Sequence, residues 1–299
     1  KSLDRVAVIA GRASTFVQGD VRDAVLLRQV FSAYRPDAVF HFAGLKAVGE
    51  SAMVPLDYYD ANVYGGLVLA RVMAEHQIRT LVFSSSATVY QETEGPLTET
   101  SPIGKPASPY GRTKLMVEHI LGDVAVTHPD WRIAILRYFN PVGAHRSGTI
   151  GEDPTGTPNN LVPYIAQVAV GRLPELAIFG DDYATPDGTG VRDYVHVVDL
   201  ACGHLRALDG LNTRHGVHVW NLGTGGGSSV LQVVKAFERV SGRPIPYRFA
   251  PRRQGDVAVS YADASKAWQE LAWRAEYGLD EMLEHAWRWQ SQNPVGYRE

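Results

Sequence analysis

Tyr110 and Lys114 stand four residues apart in the run Tyr110-Gly111-Arg112-Thr113-Lys114. On a helix that spacing brings both side chains to one face. A phenol beside an ammonium is a candidate general base, because the cation favours the phenolate. Lowering a phenol from a pKa of about 10 to about 7 takes roughly 4 kcal/mol. An ammonium about 6 Å away supplies about 2.8 kcal/mol at an effective dielectric near 20, so a second cation is needed. The pair by itself is a common accident in a chain with 14 tyrosines. Its setting adds the information: Ser84-Ser85-Ser86 closes an apolar segment upstream, where a sheet presents residues to a ligand.

A frame must hold these groups together. Thr80-Leu81-Val82-Phe83-Ser84 reads as a strand that carries the serines, and a helix is expected from about 108 to 126. Asp37–Gly44 and Trp131–Arg137 read as further strands, the first an apolar run closed by glycine. Ser14-Thr15-Phe16-Val17, ending in Gly19-Asp20, reads as a short strand. Ala24, Leu26, Leu27, Val30 and Phe31 give residues 22–34 a helical period, and a helix from about 55 to 77 has Pro55 in its first turn. Strands alternating with helices predict an α/β fold, a Rossmann-type doubly wound parallel sheet. Beyond Asn140, Gly, Pro and Asn become frequent and short mixed elements follow. The expected division is 1–140 for the sheet domain and 141–299 for a smaller mixed lobe with segments returning to the sheet. Such a lobe would close a crevice over the carboxyl ends of the strands. Gly223-Thr224-Gly225-Gly226-Gly227 comes late in the chain and reads as a loop-to-helix turn, not as a dinucleotide fingerprint.

Composition narrows the function classes. Of 299 residues, 45% are apolar and 20% charged, enough for a sizeable core. A formal charge of −3, from 29 Lys+Arg against 32 Asp+Glu, argues against a protein that coats nucleic acid or an anionic membrane. One cysteine, Cys202, excludes an intrachain disulfide and a Cys-cluster zinc site. The 10 histidines are scattered without a His-Glu-x-x-His spacing, so no metal site is expected. No apolar run has membrane-spanning length and no signal segment opens the chain, which points to a cytoplasmic protein.

Ser86, Tyr110 and Lys114, in that order, match the pattern of extended short-chain dehydrogenases/reductases. Longer segments narrow the likeness. His41-Phe42-Ala43-Gly44-Leu45-Lys46-Ala47-Val48-Gly49-Glu50-Ser51, Ser84–Tyr90, Arg137-Tyr138-Phe139-Asn140-Pro141-Val142-Gly143-Ala144-His145, Pro158–Leu161, Gly188–Tyr194 and Ala250–Asp256 occur in collinear order from about Gly19 onward. Together they resemble UDP-glucose 4-epimerases. The family's opening strand-helix-strand unit, with its Gly-x-x-Gly-x-x-Gly turn, has no counterpart before Gly19. The sequence is therefore expected to be N-terminally incomplete, and the cofactor expectations assume that unit.

The resemblance implies conversion of UDP-glucose to UDP-galactose through a transient 4-keto sugar, with NAD as a resident cofactor whose nicotinamide is the second cation. Tyr110 would take the proton of the sugar 4-hydroxyl, Ser86 would hydrogen-bond the reacting oxygen and Lys114 would support both. The implied cofactor set is Asp20, Val21, Phe42, Ala43, Gly44, Lys46, Asn62, Ser84, Tyr110, Lys114 and Phe139; Asp20 is equally a plausible helix N-cap. For the UDP-sugar it is Ser86, Tyr110, Asn140, Asn160, Leu161, Ala177, Phe179, Arg192, Tyr194, Arg253, Asp256 and Ser260, with Arg192 and Arg253 suited to the diphosphate. Ser260 stands where relatives can carry a bulky Tyr, so a 2-N-acetyl sugar should also enter. Related epimerases form homodimers through the two long helices, here about 55–77 and 108–126.

A sugar-nucleotide 4,6-dehydratase is disfavoured, since the acid pair it needs is here Ala87 and Thr88. Should the missing unit be truly absent, a catalytically inactive nucleotide-sugar or dinucleotide-binding module is the other reading.

Overall fold

The computed structural model, which describes residues 1–92, 95–253 and 255–297, is built around a parallel sheet flanked by helices. The chain opens with α1 (Ser2–Ala10) and α2 (Ala24–Tyr34), then enters the sheet at β1 (Val39–His41). α3 (Val48–Met53), α4 (Pro55–Tyr58) and α5 (Gly65–Glu75) follow, with a π-helical turn, Tyr59–Tyr64, joining α4 to α5. β2 (Thr80–Ser84), α6 (Pro109–Thr127) and β3 (Arg132–Tyr138) complete the alternating half.

The second half comprises β4 (Asn140–Val142), α7 (Leu161–Ala169), β5 (Leu176–Phe179), β6 (Val191–His196) and α8 (Val197–Gly210), then β7 (Gly216–Leu222), β8 (Gly227–Ser229) and α9 (Val230–Ser241). β9 (Tyr247–Ala250), β10 (Val259–Ser260), α10 (Ser265–Leu271) and α11 (Leu279–Gln292) end it. The main sheet runs β1-β2-β3-β7, every neighbouring pair parallel, so β7 returns from the second half to the sheet of the first. β4, β6, β8 and β10 form a smaller mixed sheet, and β5 pairs with β9.

Strand periodicity explains the apolar runs. Leu81 and Phe83 of β2, with Ile133 and Ile135 of β3, face a core shared with Val72, Met73 and Leu121 of α5 and α6. The intervening Val82, Ala134 and Leu136 face the opposite core with Leu200 of α8, Ala267 of α10 and Trp220. A strand buried on both faces has no polar position to alternate with. A third core, with Ile165, Val233, Phe237 and Leu283, holds α7, α9 and α11 together. Among the described residues no helix is long and apolar enough to cross a membrane.

Three local expectations need correction. Ser14–Val17 forms no strand: the segment is exposed and irregular, with no sheet neighbour for its backbone. Asp20 does not cap α2. Asp23 does, accepting from Val25 N and Leu26 N at 3.0 Å, while Asp20 pairs with Arg22 at 2.6 Å. The helix expected over 55–77 is α4, the π turn and α5 in succession.

The late glycine run serves as a loop-to-helix turn. The buried carboxylate of Asp193 on β6 accepts from Thr224 N, Thr224 Oγ1, Gly225 N and Ala262 N. A Cβ at Gly223 would stand 2.5 Å from Asp193 Oδ2, so only glycine allows this approach.

Candidate active site

The catalytic candidates meet where β2 ends and α6 begins. Ser108 caps α6, its Oγ accepting from Gly111 N at 3.1 Å, and Pro109 takes the first helical position. Tyr110 thus lies in the first turn, where the helix dipole favours a negative oxygen. A Cβ at Gly111 would lie 2.7 Å from Thr88 O, so the glycine lets the helix start pack against the loop after the serines. Lys114, one turn further along and almost fully buried, donates from Nζ to Ser84 O at 2.8 Å. That Nζ lies 5.9 Å from the centre of the Tyr110 ring and 5.0 Å from that of Phe83. Ser86 Oγ accepts from Thr88 N at 3.2 Å and from Thr88 Oγ1 at 3.0 Å. Both acceptor positions of that hydroxyl are then filled, and its own proton is left to donate.

The electrostatics differ from the expectation of an acidic phenol. Burial raises the Tyr110 pKa above the usual phenol value, Tyr138 adds to the rise, and the Ser86 hydroxyl opposes it. Burial lowers Lys114 to about 8, against the pull of Glu118. Burial, and then Lys114, lowers His41 to about 4, so His41 is neutral near pH 7. Lys114 alone therefore does not ionise Tyr110, in line with the requirement for two cations.

These groups line or underlie a cavity of about 790 Å³ between the sheet and the second half of the chain. Phe42, Lys46, Ser86, Tyr110, Phe139, Asn140, Asn160, Arg192, Asp256 and Ser260, all expected from the sequence, line it. Arg192 lies 3.8 Å from Asp256, and Ser260 is its register partner in the β6–β10 pair. Arg253 lays its guanidinium 3.8 Å from the centre of the Phe179 ring, beside the lining but not in it. Gln254, between Arg253 and Gly255, lies outside the described residues.

Other expected residues have structural partners. Asn62, on the π turn, accepts from Leu45 N at 2.7 Å and donates to Leu45 O and to Thr113 Oγ1. It clamps the Ala43–Lys46 turn to α6, and does not line the cavity. Ala43, Gly44, Ser84 and Lys114 also lie off the cavity wall, Ser84 and Lys114 directly beneath it. Tyr194 and Leu161 pack in the core of the second half, and Ala177 is half-buried on β5. Val21 packs against the first core; Asp20 is exposed on Arg22.

Sequence reasoning passed over Tyr138 and Glu152, which line the cavity. Glu152 Oε1 receives both Lys46 Nζ at 3.2 Å and Asn160 Nδ2 at 3.1 Å, joining two expected ligand contacts across the opening. No local spacing announces it. Glu118 and Arg137 were also missed, although a charged residue inside an apolar strand is itself a signal.

A family model described as the NAD dependent epimerase/dehydratase family matches residues 2–223. The UDP-glucose 4-epimerase of Yersinia pestis is 57% identical over 296 residues, covering 99% of this chain and 88% of its own length. That of Bacillus subtilis is 54% identical over 299 residues, covering 100% and 88%. The crystal structure of the Bifidobacterium longum UDP-glucose 4-epimerase in complex with NAD+ and UDP superposes with a TM-score of 0.97 at 55% identity. It covers 99% of this chain and 88% of that one.

Proposed function

The chain belongs to the NAD dependent epimerase/dehydratase family, and from that membership we infer that it epimerises UDP-glucose at C4 with bound NAD. The observation that carries the reading is a buried Tyr110–Lys114 pair at a cavity that the Arg192–Asp256 pair also lines. The residues present suit the cofactor. Phe42, Tyr138 and Phe139 offer apolar faces beside the hydroxyls of Ser86 and Tyr110, at the strand ends where α/β sheets bind ligands. When bound, NAD supplies a reversible acceptor for the C4 hydrogen and a positive charge beside the phenol.

The remaining work falls to the chain. Tyr110 takes the proton of the 4-hydroxyl, and Ser86 donates its free proton to the oxygen as it becomes a ketone. Lys114, with Nζ 5.9 Å from the centre of the ring, is the cation on the same helix face that favours the phenolate. Arg192 and Arg253 hold the diphosphate, and Asn140 and Asn160 orient the sugar side. Phe179, whose ring carries the Arg253 guanidinium on one face, contacts the nucleobase. A UDP end held by cations and a sugar held loosely let the 4-keto intermediate turn both faces to the reactive centre.

Ser260 sets the room around the sugar. Its small side chain lines the cavity beside Arg192, leaving space for a 2-N-acetyl group. Incubation with UDP-glucose or UDP-N-acetylglucosamine, followed by proton NMR of the anomeric region, should show the C4 epimer of each. Ser260→Tyr should lower the N-acetylated turnover by about tenfold or more and leave the other within about threefold. Failure of UDP-glucose to epimerise would reject the function. Failure of the N-acetylated sugar alone would reject the pocket argument.

A homodimer is part of the same reading. Leu56, Tyr64, Met116 and Val126 are exposed on α4, the π turn and α6, the helices expected to pair. Sedimentation at micromolar concentration should give twice the chain mass; a monomer would reject this arrangement. A cytoplasmic setting suits Cys202, a free thiol.

A further inference from the structure

Each residue of Ser84-Ser85-Ser86 has a different partner. Ser84 gives its carbonyl to Lys114, and the Ser86 hydroxyl faces Tyr110. Ser85 touches neither ligand-facing group. Its N–H donates to Leu136 O at 2.9 Å, and its hydroxyl donates to Glu118 Oε1. Glu118 lies on α6 one turn after Lys114. Arg137, near the end of β3, grips the same carboxylate from Nε at 3.0 Å and from Nη2 at 2.6 Å. Both side chains are 4% exposed. Behind them Arg137 lies 4.9 Å from the centre of the Tyr90 ring, Arg137 Nη1 donates to Glu99 O, and the Tyr90 hydroxyl donates to Asn221 Oδ1 at 2.6 Å.

Buried ion pairs can often be replaced by apolar side chains without loss of stability, so stability is a weak reason for one here. Its location suggests another role. We propose that Glu118 and Arg137 are positioning residues for the reaction: through Ser85 they fix the turn that presents Ser86 and the Ser84 carbonyl, and by balancing each other they set the net charge that Lys114 meets. The proposal rests on the roles given above to Ser86, Tyr110 and Lys114.

The charges and titratable groups around this centre are few. Lys114 meets Tyr110 and Glu118 on its own helix and His41 on β1. Tyr110 meets Tyr138 on β3 and Tyr58 on α4. Arg137 meets Glu118 and Tyr90, and Tyr90 meets Glu99. Glu118→Gln removes the anion that supports the Lys114 charge and leaves the Arg137 cation uncompensated, so Lys114 loses its proton at lower pH. Arg137→Met leaves the Glu118 anion uncompensated, so Lys114 keeps its proton to higher pH. The two single variants therefore act in opposite directions, as mere loosening of the fold would not.

The test uses the full-length, NAD-loaded enzyme. Ser85→Ala, which strands no charge, should lower kcat on UDP-glucose by about tenfold with KM within about twofold, and Ser85→Thr should restore it. The alkaline limb of kcat/KM, where Lys114 loses its proton, should move down by about one pH unit in Glu118→Gln and up by a similar amount in Arg137→Met, the double variant returning near the parent. Parental kcat in Ser85→Ala overturns the proposal, including where a single-charge variant does not fold. So do limbs that stay fixed, or move together, in folded variants. Parental turnover in Tyr110→Phe would instead reject the underlying catalytic reading.

Discussion

Tyr110→Phe is expected to lose about 10³-fold in kcat at neutral pH, within the range for removal of a general base. The ring is buried against Ser86, Tyr138 and Lys114, and phenylalanine fills the same volume. Melting temperature and NAD content should therefore stay close to the parent, separating loss of chemistry from loss of structure. Only the oxygen is removed, and with it the group proposed to accept the sugar proton. His41 offers no substitute, because it is buried and its basicity is lowered. Steady-state assay of UDP-galactose formation measures the effect. Turnover within tenfold of the parent would reject Tyr110 as the base.

Lys114→Met should abolish measurable turnover and yet stabilise the NAD-free protein at pH 7. Burial holds the Lys114 pKa near 8, against an ordinary 10.5. Below pH 8 the lysine is protonated in both folded and unfolded chains, and the folded state then carries the full penalty, on the order of 3 kcal/mol. Methionine removes that penalty but leaves the Ser84 carbonyl without its donor, a loss of about 1–2 kcal/mol. The net gain expected at pH 7 is about 1–2 kcal/mol. The sign of its pH dependence is fixed. Between pH 8 and 10.5 the unfolded lysine still binds a proton that the folded one has lost, so parental stability rises and the advantage of the variant shrinks. Urea denaturation at pH 7 and pH 10 measures both. A variant less stable than the parent at pH 7 would show that Lys114 is not strained by burial.

What the sequence disclosed and what it hid divide along physical lines. β2 and β3 are apolar on both faces, and runs such as Leu81-Val82-Phe83 announce themselves. Tyr110 and Lys114 share a helix, so their meeting is a matter of local period. The Arg192–Asp256 and Lys46–Glu152 pairs join residues far apart in the chain, and no local pattern encodes them. Only the resemblance to a family suggested Arg192 and Asp256, and nothing suggested Glu152. Ser14–Val17 has strand-forming residues, but its conformation depends on a neighbour that local preference does not supply. Asp20 and Asp23 are both good caps, and only the path of the chain selects Asp23. Glu118 and Arg137 neutralise each other across two elements, which periodicity cannot foresee.

The π turn at Tyr59–Tyr64 limits how this region can vary. Deleting one of its residues would give a helix of ordinary pitch, and by backbone criteria alone the change would look like an improvement. It would also swing Asn62 by about 100° around the axis, away from Leu45 and Thr113. The irregularity works as an indexing device that sets the angle of one amide. Helix length here is thus tied to the alignment of a turn and a helix that do not touch it in sequence, and lengthening or trimming would be felt first as misregistration, not as melting.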